Sequence, residues 1–302
     1  MRGRSEWRAA LAMLSGMAGV GLASGRELAL FFAQLGDAAW PGILLASGLY
    51  GLLAGCAIWR GQLPSTCTHP LEGLCEGLRL LLVALVAALM LYMAGEVGEL
   101  ALPLRHSYAF GTALGLLAAL ALTRLRSGWG PGLVILLYAG AFLAANALDP
   151  RPTRLHVRGY TEFRLAGNLP AALLLAALYA ALIACAGCWG LSRLSPGTVR
   201  PASLGLRAAG LICALLCLAN LALLRGGSAV VAHPMPWVAL SARWGLVGFW
   251  VCAGLKALCA VTTLSATLST LLRGFRHHHI LTAFMLIIGI AAFALMKYSS
   301  RL

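Results

Sequence analysis

The sequence predicts an all-α polytopic membrane protein of nine spans, the first of them discontinuous, and three observations carry that expectation. Hydrophobic residues make up 61% of the 302 and charged residues only 11%, far from the soluble balance of about half apolar and a quarter charged. Apolar stretches of about 20 residues, the length that crosses a bilayer, recur along the whole chain. The first of these stretches holds Gly16, Gly19, Gly21 and Gly25 within ten residues, and each glycine costs a helix interior roughly 1 kcal/mol relative to alanine.

The first span covers 7–36 and follows Arg2, Arg4 and Arg8. It is too long, and lacks the small-residue cleavage site, for a removable signal peptide. Within it runs Ser15-Gly-Met-Ala-Gly-Val-Gly-Leu-Ala-Ser-Gly-Arg-Glu27. A break in that stretch would expose backbone at membrane depth, which is tolerated only inside protein or along a cavity. Carbonyls around Gly16 to Gly19 would then be free to hold a cation, and N–H groups near Ala23, Ser24 and Gly25 an anionic group. The same glycines also spell small-x-x-x-small patterns, which bring two helices close without any ligand. Close packing alone does not account for Arg26 and Glu27 directly after them. The Gly-Val-Gly-Leu-Ala-Ser-Gly string imitates a dinucleotide-binding loop, but no strand precedes it.

Spans at 40–59, 77–101, 108–123 and 129–148 complete the first half, and spans at 169–190, 203–224, 244–272 and 279–296 form the second. The longest connection, 149–168, is about twenty residues, so no soluble domain is expected. Between the seventh and eighth spans, Ala229 to Leu240 is too short and too interrupted by Pro234 and Pro236 to cross, and reads as an interfacial or re-entrant helix.

The formal net charge of +14 does not point to nucleic acid, because the basic residues lie singly in the connections and form no run or stripe. With the N-terminus inside, twelve Lys and Arg residues fall in cytoplasmic connections and nine outside, which favours a cytoplasmic N-terminus. Most of the nine cysteines lie in apolar spans and imply no disulfide framework. Cys185-x-x-Cys188 has metal-ligand spacing without a second pair, and no metal site is expected. His277-His278-His279 reads as a solvated cytoplasmic connection. No metalloprotease, serine-hydrolase or Walker motif is present, and no enzyme is expected.

Ionisable residues at membrane depth mark functional sites by default. Glu96 and Glu99 stand one turn apart near the end of span three; both could merely solvate the helix end. Lys256 has about a dozen apolar residues on each side and cannot easily reach an interface. It must meet protein or water, either as a static partner of Glu27 or Glu96 or as a group that gains and loses a proton. Thr263, seven residues on, shares its face. Thr262, Thr263 and Ser265 could join such a site or simply bond the preceding turn.

Gly19-Val-Gly-Leu-Ala-Ser-Gly-Arg-Glu-Leu28, followed by Phe31-Phe32 and Gly36, closely resembles the opening signature of the YkvI-like membrane proteins, a branch of the amino acid-polyamine-organocation (APC) transporter superfamily. Met93-Ala-Gly-Glu-Val-Gly-Glu99 and the Pro234-Met-Pro236 segment resemble the corresponding parts of that family. The resemblance implies a LeuT-like fold of two inverted five-helix repeats, broken in spans one and six, with an extracellular capping helix between spans seven and eight. Residues 1–302 then form one transmembrane domain, with a first repeat in 1–148 and a second in 168–302 that is one helix short. Span six lacks a central glycine or proline, and Ala181 and Ile183 stand where the family follows Tyr179 with polar residues. By resemblance the function is that of a secondary transporter in the bacterial cytoplasmic membrane, moving a small solute such as an amino acid by alternating access. The substrate site would be Gly19, Gly21, Ala23, Ser24, Gly25, Glu27, Glu96 and Tyr179; the coupling site would be Gly16, Thr262, Thr263 and Ser265 with sodium, or Lys256 with a proton. No organic cofactor is implied, and the expected partners are the lipid bilayer and the solute or ion itself. A membrane sensor or assembly subunit that keeps the fold without transporting is the alternative, which the short second repeat and apolar sixth span favour; no ring of charges supports a channel.

Overall fold

A computed structural model describes residues 2–62, 70–102, 106–124, 129–149, 168–191, 199–233 and 235–277. The expected last span at 279–296 and the tail beyond it lie outside the described residues, as do His278 and His279 of the histidine run. Among the described residues the chain is helical throughout. It comprises α1 (Arg2–Gly21), α2 (Arg26–Phe31), α3 (Ala39–Gln62), α4 (Pro70–Ala101), α5 (Ser107–Arg124), α6 (Trp129–Leu148), α7 (Leu169–Leu191), α8 (Pro201–Gly226), α9 (Ser228–Val231), α10 (Pro236–Ser241) and α11 (Gly245–His277). Among the described residues seven helices are long and apolar enough to cross a membrane: α3 to α8, and α11 together with α10. The chain is an integral membrane protein. Its outer surface is apolar, with Leu44 and Leu52 on α3, Leu114 and Leu117 on α5, Leu206 on α8 and Leu246 and Val247 on α11 all exposed, as lipid requires and water would not.

α1 is the central element. Every residue from Ala9 to Ala23 is buried, and a helix apolar and buried on all sides has protein all round it. α6, α7, α8 and α11 pack directly on it, while α3 braces α7 and α8, and α4 and α5 brace α11. Small residues set how close these neighbours come. A Cβ on Gly16 would lie 2.6 Å from the carbonyl oxygen of Ala186 on α7, and one on Gly190 or Gly132 would run into the α1 backbone at Ala12 or Leu11. Gly16 is therefore a packing residue, as the small-x-x-x-small pattern allows.

The expected break in span one is present, at 22–25. Gly16 and Gly19 fall within α1, one to two turns before it. A short 3-10 turn at Ala33–Ala38 then leads into α3. α7 is a continuous helix, so the second discontinuity of a LeuT-like fold is missing from span six, in keeping with a stretch that carries no glycine or proline before Gly187 beyond the Pro170 of its first turn. The segment between α8 and α11 is two short helices, α9 and α10, with Pro236 starting α10 where its missing N–H costs nothing. Gly190→Leu is expected to cost more than about 2 kcal/mol, because overfilling a backbone-to-backbone contact has no side chain that can move away; a lower melting temperature in detergent than for Gly140→Leu, whose added Cβ meets nothing within 4 Å, checks it.

Candidate functional site

An interrupted helix leaves backbone donors and acceptors without partners, and at membrane depth each must be accounted for. The break in span one is asymmetric in this respect. Leu22 N–H still bonds Ala18 O at 2.9 Å, closing α1, and Ala29 N–H bonds Gly25 O at 3.0 Å, opening α2. Gly25 turns the chain between them at φ 77°, a conformation that glycine adopts without strain. Three acceptors of the break are taken. Gly21 O accepts from the Tyr179 hydroxyl at 3.3 Å, Leu22 O accepts from Trp237 Nε1 at 2.8 Å, and Ser24 O accepts from the Trp237 backbone N–H at 3.5 Å. The donors are not. The N–H groups of Ala23, Ser24 and Gly25 bond no group among the described residues, while Ala23 and Gly25 are buried. Three successive free N–H groups form a concavity suited to an anion or another acceptor.

The side chains around the break are fixed from several elements. Tyr179, fully buried on α7, sits between Phe31 and Phe32 with ring centroids at 5.3 and 5.0 Å. Trp237 lies flat on Gly25, where an added Cβ would fall 2.6 Å from its ring carbons, and meets the edge of Phe142 on α6 at 6.0 Å. Ser24 Oγ donates to Glu27 Oε2 at 2.8 Å and accepts from Arg26 N–H at 3.1 Å, so Glu27 is held beside the break while Arg26 is exposed.

α11 supplies the second half of the site. Thr263 Oγ1 accepts from Gly19 N–H at 2.8 Å and donates to Ser15 O at 3.3 Å, the two groups that an uninterrupted helix pairs with each other. A side chain inserted into the ladder in this way is a recognised cause of helix bending, and Gly19 makes room for it: a Cβ there would lie 2.9 Å from the Thr263 side chain. Seven residues earlier on the same face, Lys256 Nζ meets Glu96 Oε2 of α4 at 2.5 Å, with the two side chains 6% and 22% exposed. Of the two partners the sequence offers Lys256, the structure selects Glu96.

The other expected site residues are less central. Thr262 bonds Leu258 O and Cys259 O of its own helix at 2.8 and 3.1 Å; Ser265 is buried within α11, its carbonyl accepting from Ser269. The expected cation ligands around Gly16 to Gly19 are carbonyls of a helix that runs on to Gly21, and Thr263 bonds the Gly19 N–H and the carbonyl of Ser15 just before them. Glu99 is exposed near the end of α4. Among the described residues no group of three metal-ligating side chains comes together.

Sequence reasoning passed over Trp237, Asn146, Asn220 and a second ion pair. Glu6 is buried at the start of α1 and bonds Arg207 at 3.0 Å and the Ser203 hydroxyl at 2.7 Å, both on α8. Its only sequence signal is a lone acid among arginines. Asn146 on α6 and Asn220 on α8 are 0% and 2% exposed. Oδ1 of the first and both amide atoms of the second make no hydrogen bond among the described residues. Each such atom costs about 1–3 kcal/mol of unreturned desolvation. Compared with known proteins, the chain matches no family model and no curated protein sequence.

Removing one partner of a buried ion pair strands the other, at about 3–5 kcal/mol, whereas replacing both is often close to neutral. Lys256→Met alone is therefore expected to lower stability by about 3 kcal/mol, the smaller figure because Glu96 is partly exposed, and Lys256→Met with Glu96→Gln to recover most of it. Chemical or thermal unfolding of both variants in the same detergent checks this.

Proposed function

We propose that the protein is a secondary transporter of LeuT-like architecture, related to the YkvI-like branch of the APC superfamily, that moves a small carboxylate-bearing solute such as an amino acid. The observation that carries the proposal is the unpaired set of N–H groups at Ala23, Ser24 and Gly25 inside a buried, broken helix. A chain that keeps three backbone donors without partners at membrane depth gains most from a ligand that accepts from them. The donors favour an anionic or acceptor group over a cation, since the carbonyls of Gly21, Leu22 and Ser24 are already engaged by Tyr179 and Trp237. The order of elements is consistent with the architecture: a broken first span, short helices between the seventh and eighth spans, and a hydroxyl of the eighth set against the first.

Lys256 and Glu96 supply the coupling step in this proposal. A buried lysine with a carboxylate partner can exchange a proton as its surroundings open and close, which makes the coupling ion a proton. No sodium is required, because Thr263 bonds directly to α1. One observation favours the alternative of a sensor or assembly subunit that retains the fold: α7 is continuous, so span six offers no second broken helix to rearrange with span one.

Thermal-shift measurements on the purified protein with amino acids and other small carboxylates test the reading, because a ligand that binds the folded state alone raises its melting temperature. A sodium-independent rise with at least one carboxylate is expected, lost in Gly21→Leu. In proteoliposomes the same solute should accumulate in response to a pH gradient, and Lys256→Met with Glu96→Gln should abolish the pH dependence. Sodium-dependent binding, or binding that survives Gly21→Leu in a folded protein, would contradict the proposal; binding without accumulation would favour the sensor.

A further inference from the structure

Two buried carboxamides lie at the level of the break on helices to which the proposal above gives no part. α6 runs beside α1 in the same direction, with Gly132 against Leu11 at one end and Phe142 against Trp237, the partner of Leu22, at the other. Asn146 stands one turn beyond Phe142 on the same face, about 6 Å further along the axis. Its Nδ2 donates to Phe142 O at 2.8 Å, which orients the amide and leaves Oδ1 as an unpaired acceptor. α8 also runs parallel, with Ser203 on Glu6 near the start and Arg225 on Ala147 O, next to Asn146, near the end. From Ser203 to Asn220 is 17 residues and from Glu6 to Gly21 is 15, about 25 and 22 Å of helix. Asn220 is thus level with the break. It follows Ala209, which faces α3 at Gly51, by 11 residues, almost the same angular position. At that height α3 has given way to the 33–38 turn, and α8 packs on that turn and on α2.

We propose that Asn146 and Asn220 are specificity residues for the solute held at the break, and that they recognise an uncharged hydrogen-bonding group on it, a primary amide or a hydroxyl. The inference rests on the transporter reading above and goes beyond it by naming the side-chain class. Asn220 offers both a donor and an acceptor, Asn146 an acceptor, and neither brings charge. A second charged group would meet no countercharge on these amides, and an apolar one would leave all three atoms unpaired, which discriminates more sharply than pocket size does. Natural sequences break the rule that buried polar groups are paired chiefly where function requires it.

The test uses the full chain in detergent, with L-glutamine and L-serine as probes and L-norvaline and L-glutamate as controls, each titrated against melting temperature. The wild type is expected to respond to glutamine or serine at a half-saturating concentration at least fivefold below that for norvaline or glutamate. Asn220→Leu, close in volume, is expected to melt higher than the wild type without any probe, and to lose that preference. Asn146→Leu should lose it as well. A lower melting temperature for Asn220→Leu, or its failure to fold, would show that the amide has a structural partner and would overturn the proposal. So would glutamine and norvaline acting equally on the wild type, or a preference that persists in both variants; the transporter reading would survive those two results. If none of the four amino acids shifts the wild type, the specificity proposal falls whatever other carboxylates do.

Discussion

Backbone polarity cannot be left unpaired in hydrocarbon, and the one place where this chain interrupts a central helix decides what its other helices must supply. Ala9 to Ala23 is buried on every side, so the partners for the break at 22–25 have to come from protein. α7 sends Tyr179 to Gly21, α10 sends Trp237 to Leu22 and Ser24, and α11 sends Thr263 to Ser15 and Gly19. Each of these contacts ties a separate part of the chain to α1. Gly21, Leu22 and Ser24 have their carbonyls bonded from other helices, while the N–H groups of Ala23, Ser24 and Gly25 bond no group among the described residues, and that contrast gives the break its chemical character.

The ion pair is placed by the same helix that alters the ladder of α1. Thr263 and Lys256 lie on one face of α11, about 10 Å apart by the helical rise, the first against α1 and the second against Glu96 on α4. A movement of α11 relative to α1 and α4 would strain both contacts together. At the opposite end of α1, Glu6 with Arg207 and Ser203 anchors the helix to α8. The central helix is thus held by charge at its start and by hydroxyl and indole hydrogen bonds at its interruption, with small residues closing the distance between.

Much of this was legible in the sequence, for physical reasons. Apolar length located the seven described helices long enough to cross a membrane, and the glycine cluster located the discontinuity. The roles of the individual glycines were not legible, because sequence alone does not show what each one faces: Gly16 meets α7, Gly19 meets Thr263, Gly21 meets Tyr179 and Gly25 carries the left-handed turn under Trp237. Lys256 was evident as a buried charge from its apolar surroundings, whereas the choice of Glu96 over Glu27 depended on how α4 and α11 cross. Trp237 gave no signal, since a six-residue helix opened by Pro236 is too short to show a periodicity. Asn146 and Asn220 were equally silent, because a lone amide in an apolar span reads the same whether paired or not. Tyr179 stood out through family resemblance and has a place at the break, although its helix is continuous.

The central claim is that Ala23, Ser24 and Gly25 present unpaired amides to an accessible site within the membrane. Amide hydrogen exchange of the protein in lipid nanodiscs tests it most directly, since exchange reports local bonding and access residue by residue. The amides of Ala23 to Gly25 are predicted to exchange within about a minute, while those of Ala9 to Ala18 stay protected for hours, as buried helix should. Protection at Ala23 to Gly25 equal to that of Ala9 to Ala18 would mean that the break is paired or dry, and would contradict the account.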